Sequence, residues 1–352
     1  MRELVYKFFS MAQEKNKPFF LYIGIHDPHR AGSQAKIAEY GQFMERWGDG
    51  SPGMGKIPDW TPTDYNPDEV RVPYFLPNTS ATRNDLANFY RTISRYDQGI
   101  GLFMYLLKYF GYDENTLVIL TSDNGIPFPN AKTNLYDPGM GEPMFISNPL
   151  AKQRWNQTTE AFSSHTDIVP TVLDWFGLPE PSYTINGKKV VLQGQSLLPV
   201  TEKEPSTGYD TAFSSHNLHE VTMYYPMRVV RNKHFKLIHN LNYKMPYPMA
   251  QDIYYSPSFR DIVNRTMAGE TLPWFKTLEE YYYRDQWELF DLDNDPEELH
   301  NLAFDPTYQS TLQAMQQQLL GWLENTNDIW RCGPGELLIY EGKSCYPLDN
   351  NT

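Results

Sequence analysis

Two short polar clusters and one lysine carry the groups able to do chemistry: "SDNG" with Asp123 and Asn124, "HDPHR" with His26 and His29, and Lys132 a few residues beyond the first. Asp123 and Asn124 follow the apolar run Leu117–Leu120. A carboxylate beside a carboxamide offers hard oxygens to Ca²⁺ or Mg²⁺, and Gly125 lets the backbone turn away. An Asx turn closing a strand explains the same four residues, and "SDNG" alone favours that reading. Two imidazoles and an ammonium suit an anionic group that develops charge in a transition state. Taken singly, a loop histidine is more often a satisfied hydrogen-bonding group, and a loop lysine a solvated one.

These clusters need elements to position them. The run from Pro18 to Ile25 reads as a strand leading into "HDPHR", and a Gly/Pro-rich segment from Ala31 to Pro77 reads as a long functional loop. From Asn84 to Phe110 apolar residues recur at three- and four-residue steps, which predicts a helix stopped by Gly111. Strand, helix and the strand at Leu117–Leu120 form a βαβ unit, which implies a mostly parallel sheet with both polar clusters on one rim. A strand at Pro143–Ser147 and a helix in "SSHTDIVPTVLDWFGL" continue the layers, and an amphipathic helix opens the chain. The expected division is an α/β sheet domain over residues 1–205 and a smaller α+β domain over 206–352. The second would hold strand-like "MRVVRNKHFKLIHN" and a helix from about Pro306 to Glu324.

Composition narrows the classes. A chain of 352 residues with 40% hydrophobic and 15% aromatic residues can build about two well-packed cores. Its net charge of −13 and lack of a Lys/Arg run exclude a nucleic-acid-binding face. No apolar run approaches the roughly 20 residues needed to cross a bilayer, so no membrane partner is expected. Sequons at Asn78, Asn156 and Asn264 are candidate glycosylation sites, although no signal peptide opens the chain.

Beyond these patterns, "PFFLYIGIHDPHR", "GMGKIPDWTP", "TSDNGIPFP", "HEVTMYYPMR" and "WELFDLDNDPEELHNLAFDP" resemble the sulfatase family, in its sulfamidase branch, over essentially the whole chain. The resemblance implies an alkaline-phosphatase-like α/β fold and removal of the N-linked sulfate from terminal glucosamine of heparan sulfate. It makes Asp123 and Asn124 two of the Ca²⁺ ligands, His29 the histidine near the sulfate and Lys132 the basic residue that grips it. His26 is a nearby catalytic candidate, and His219 and Glu220 are candidate sugar contacts, with packing or solvated roles equally open. A lysosomal setting, the non-reducing end of heparan sulfate as partner and a homodimer as the assembly to test also follow. In such an oxidising compartment Cys332 and Cys345 would pair, contributing about 3 kcal/mol at most.

One departure accompanies the match. Sulfatases carry a C-x-P-S-R or C-x-A-S-R segment whose cysteine becomes formylglycine, and no such segment occurs among the 352 residues. The expectation is a chain lacking the family's first third, hence a fragment, inactive alone. Another sulfate- or phosphate-ester hydrolase of the same fold and a non-catalytic glycan-binding remnant are the alternatives.

Overall fold

The computed structural model describes residues 2–31, 39–185, 188–220, 223–333, 336–338 and 345–347. It divides into two units, each assembled from distant stretches of chain.

The first unit comprises Met1–Thr116, Ile126–Lys132 and Met249–Leu278. Its central element is the helix Ser80–Tyr109, somewhat longer than the periodicity predicts because Thr79 caps it, its side chain accepting the N–H of Thr82. Beyond Phe110, Gly111 takes a positive φ of 74°. The buried face of this helix sets Leu86, Ala87 and Phe89 against Phe43, Phe75 and Phe128. The opening helix Arg2–Lys15 buries Val5 and Phe9, and Phe9 joins Phe19, Phe110 and Tyr112 in a ring cluster with centroids 5.6–5.7 Å from it. Pro257–Met267 forms a further helix, capped by Ser256 and burying Phe259 and Ile262.

The second unit comprises Leu117–Gly125, Thr133–Pro248 and Glu279–Thr352. Val118–Thr121 pairs with Met144–Ser147. A four-stranded sheet runs in chain order through Thr211–His219, Met223–Asn232, Phe235–Asn240 and Trp287–Asp291. Helix Gln309–Asn325 covers it with Leu312, Met315, Leu319 and Leu323 packed on Val230, Leu237 and Leu289. Cys332 and Cys345 are joined by a disulfide.

The α/β class holds, but two expectations about its sheet are corrected. Every pair among the described strands is antiparallel. Val118–Thr121 and Met144–Ser147 pair in opposite directions, and the connection between them holds only the four-residue helix Asp137–Met140, not the long packed helix that usually carries a parallel crossover. Pro18–Ile25 is not a strand. A strand is defined by its ladder of backbone hydrogen bonds, and this segment forms none with any described strand. The single run "MRVVRNKHFKLIHN" is likewise two strands, folded at Lys233 and His234 into a hairpin.

His239, in the four-stranded sheet, pairs opposite Trp287 and stacks on it with centroids 3.7 Å apart. It is buried and neither ring nitrogen has a hydrogen-bond partner. Burial first, then the Arg228 charge, lowers its pKa to about 3. The unfolded chain therefore takes up a proton below about pH 6.5 that the folded chain refuses, and stability falls as the medium becomes acidic. Between pH 7 and pH 5 this one residue should cost about 2 kcal/mol. Denaturant unfolding of His239→Phe at both values should narrow the gap between them by that order; an unchanged gap would reject the assignment.

Candidate functional site

In the first unit the "HDPHR" turn is held at both ends by Arg–Asp pairs to the central helix. Asp27 receives two bonds from Arg95, at 2.6 and 2.7 Å, and Arg95 also donates to the carbonyls of Met44 and Trp47. Three residues on the polarity reverses. Arg30 donates to both carboxylate oxygens of Asp85 at 2.9 Å, to the Pro127 carbonyl at 2.7 Å and to the Gly41 carbonyl at 2.9 Å. Its guanidinium lies 4.0 and 4.6 Å from the ring centres of Phe43 and Phe128. Asp85 in turn accepts the Ser258 hydroxyl at 2.8 Å. A fully buried guanidinium with planar, directional donors can thus bind three loops to two helices, a task a point-charge ammonium could not perform.

Between the two pairs the backbone turns, the His29 N–H donating to the His26 carbonyl at 2.9 Å. His29 Nδ1 lies 2.6 Å from the Arg30 carbonyl, which only accepts, so Nδ1 carries the proton and Nε2 presents its lone pair. Lys132 Nζ stands 3.0 Å from that Nε2. Lys132 is buried, at the end of the Ile126–Lys132 loop, where its N–H donates to the Ile126 carbonyl and Asn130 takes a φ of 66°. Its ammonium also donates to Asp252 Oδ2 at 3.0 Å. Burial, followed by the Lys132 charge, holds His29 below its ordinary pKa. Burial works against the Asp252 carboxylate, but the charge and hydrogen bond of Lys132, with the charges of His29 and Arg30, together outweigh it and keep that pKa low. His26 stands beside the cluster, its ring 5.1 Å from that of His29.

Asp123 and Asn124 lie in the second unit, directly after the strand Val118–Thr121. Gly125 is required there, because a Cβ would sit 2.4 Å from the Pro138 carbonyl oxygen. The turn is braced by Ser122, whose hydroxyl donates to the Asn124 carbonyl, and by His165 Nε2, which donates to the Ser122 carbonyl at 2.8 Å. Burial and then the Asp123 charge push the Glu142 carboxyl up to about 7, and its Oε1 is buried without a hydrogen-bond partner. Thr121, Glu142, Ser164, His165 and Arg231 help line a cleft of about 300 Å³. Among the described residues no group of three or more His, Cys, Asp or Glu side chains converges as a metal site. Asp123, Asn124 and the orphaned Glu142 oxygen nevertheless have the donor chemistry of a hard cation site, with shell positions left over for water.

His219 is half-buried at the end of its strand, and exposed Glu220 follows it at φ 57°. His216, whose pKa burial and the neighbouring His219 lower to about 4, belongs to the same strand. Asn78, Asn156 and Asn264 are all exposed. Sequence reasoning missed Asp252 and Glu142. Neither stands in a motif with the groups it faces: Asp252 is 120 residues from Lys132.

Residues 1–178 match the sulfatase family model, and residues 250–325 match the model of the N-sulphoglucosamine sulphohydrolase C-terminal region. The chain belongs to the sulfatase family. Within that family it is 50% identical to human N-sulphoglucosamine sulphohydrolase over 349 residues, 99% of this chain and 68% of the human protein. An ulvan-active sulfatase of Formosa agariphila is 25% identical, over 96% of this chain and 57% of its own length. A solved Bacteroides thetaiotaomicron structure, from work on glycosaminoglycan metabolism, superposes with a TM-score of 0.58 at 18% identity, covering 94% of this chain and 59% of its own.

The buried Arg30–Asp85 pair yields a stability prediction. Asp85→Ala would leave a guanidinium buried without its counter-charge, and thermal or denaturant unfolding should report a loss of about 3–5 kcal/mol. A loss below 1 kcal/mol would show that Arg30 does not depend on this partner.

Proposed function

We propose that these 352 residues supply the sulfate-side groups of a sulfamidate hydrolase that removes N-linked sulfate from terminal glucosamine of heparan sulfate. The observation that carries this reading is the contact of Lys132 with His29 Nε2 in the first unit. A buried ammonium gives an anionic sulfate a fixed counter-charge at little reorganisation cost. The adjacent imidazole can take or give one proton at Nε2. The 50% identity to the human enzyme supports the choice of an N-sulfated sugar over a sulfate ester.

Asp123 and Asn124 are assigned as Ca²⁺ ligands, with Glu142 available beside Asp123. When bound, the ion would stabilise negative charge on oxygen. Formylglycine does not fit the residues present, because Cys332 and Cys345 are the chain's two cysteines and are bonded to each other. No step is therefore derived through it. That misfit favours, as a second reading, a chain that binds the sulfated glycan without turning it over. His219 and Glu220 are assigned to the sugar and His26 to the margin of the sulfate group. We assign the catalytic role to residues 1–205, with 206–352 as the smaller accessory domain. A lysosomal, glycosylated protein that dimerises completes the proposal.

Titration of the chain with N-sulfoglucosamine, followed by calorimetry or NMR, should show weak binding that inorganic sulfate competes away and Lys132→Met weakens at least tenfold. No sulfate should be released from N-sulfoglucosamine by these residues alone. Equal affinity of wild type and Lys132→Met would remove Lys132 from the sulfate, and measurable turnover would overturn the nucleophile assignment.

A further inference from the structure

The contact between Lys132 and His29 joins two groups that ordinarily repel each other when both are charged. The fold resolves this with a third group brought from a distant segment. Asp252 is buried in the short helix Gln251–Tyr254 and receives the Lys132 ammonium at 3.0 Å. We propose that Asp252 is a positioning residue: its carboxylate holds the Lys132 ammonium against His29 Nε2.

Donor and acceptor identities lead to this assignment. The Arg30 carbonyl fixes the proton on Nδ1, so Nε2 can only accept and Lys132 must donate. An ammonium buried to this degree, with an imidazole edge as neighbour, has lost most of its hydration and needs a compensating anion. Asp252 is that anion. Its Oδ2 is 3.9 Å from His29 Nε2, beyond hydrogen-bond length, so it positions the imidazole through Lys132 and acts on it directly only by charge.

The carboxylate is itself fixed. Its Oδ1 accepts the Ile253 N–H at 2.9 Å. Gly41 packs so closely on this turn that a Cβ would lie 2.8 Å from the Asp252 carbonyl oxygen, while the Gly41 carbonyl accepts from Arg30. Asp252 and His29 are thus registered through the same guanidinium. Among the described residues, Lys132, Asp252 and His26 act electrostatically on His29, together with the Arg30 carbonyl.

The meaning for catalysis rests on the sulfate-side reading above; the coupling itself does not. The test is nitrogen-15 NMR of the histidine rings in the 352-residue chain, wild type and Asp252→Asn, with circular dichroism to verify folding. Asparagine retains an oxygen to accept the Ile253 N–H, so the helix start is preserved while the charge is lost. In wild type His29 should be the Nδ1–H tautomer with a titration midpoint below that of an ordinary histidine. In Asp252→Asn that midpoint should move, falling further as the carboxylate's attraction for the imidazolium disappears. An Asp252 that merely accepts the Ile253 N–H would leave the midpoint unchanged, which overturns the proposal. Lys132→Met provides a second arm should Asp252→Asn fail to fold: the midpoint should rise, and a midpoint equal to wild type overturns the proposal equally. Added inorganic sulfate separates the two readings. A response of the His29 ring in wild type that is lost in Lys132→Met supports the sulfate assignment, whereas the expected midpoint changes without any sulfate response keep the coupling and sink that assignment.

Discussion

The first unit depends on one buried guanidinium. Arg30 has no access to water, and each of its directional donors must find a protein oxygen or remain a costly orphan. Its three acceptors, Asp85, Pro127 and Gly41, belong to the central helix, the loop that ends in Lys132 and the loop that abuts Asp252. Satisfying one side chain therefore fixes the relative placement of every group around His29. The adjoining aromatic rings of Phe43 and Phe128 remove water and strengthen those bonds, so the same residue is both a polar hub and part of the apolar core.

The second unit uses related physics in its own sheet. Lys236, fully buried, is matched by Asp137 at 2.9 Å and Glu298 at 2.6 Å, and Arg231 adds two bonds to Asp137. Arg284 is enclosed by Tyr136, Tyr225, Tyr247 and Tyr281, with Tyr247 3.7 Å from its guanidinium carbon, and it donates to Asn134. Such charges are tolerated because each is delocalised against rings or paired, and removal of one partner would strand the other.

What could be read from sequence was what is local. The helix at Ser80–Tyr109 announced itself through its own periodicity, and the turn chemistry of "HDPHR" and "SDNG" lies within a few residues. The family followed from motifs spread over the chain. The strand directions did not, because βαβ reasoning assigns an edge to a neighbour that composition cannot name, and Pro18–Ile25 has the composition of a strand without a ladder to join. Asp252 and Glu142 were invisible for a related reason. A carboxylate becomes functional through what it faces, and the partners here come from segments that no window of sequence spans.

The discontinuous build of the first unit bears on its biosynthesis. Asp85 finds Ser258 across 173 residues, and Lys132 finds Asp252 across 120. A ribosome emitting the chain from its amino end has released the central helix, Arg30 and Lys132 long before the segment Met249–Leu278 that completes their unit exists. During that interval three of the four strands of the second unit's sheet emerge and can pair among themselves, since their sheet joins sequence neighbours; Trp287–Asp291 follows afterwards. The stretch made first is therefore finished only after most of the second unit has been made, and its half-built core must be shielded while it waits.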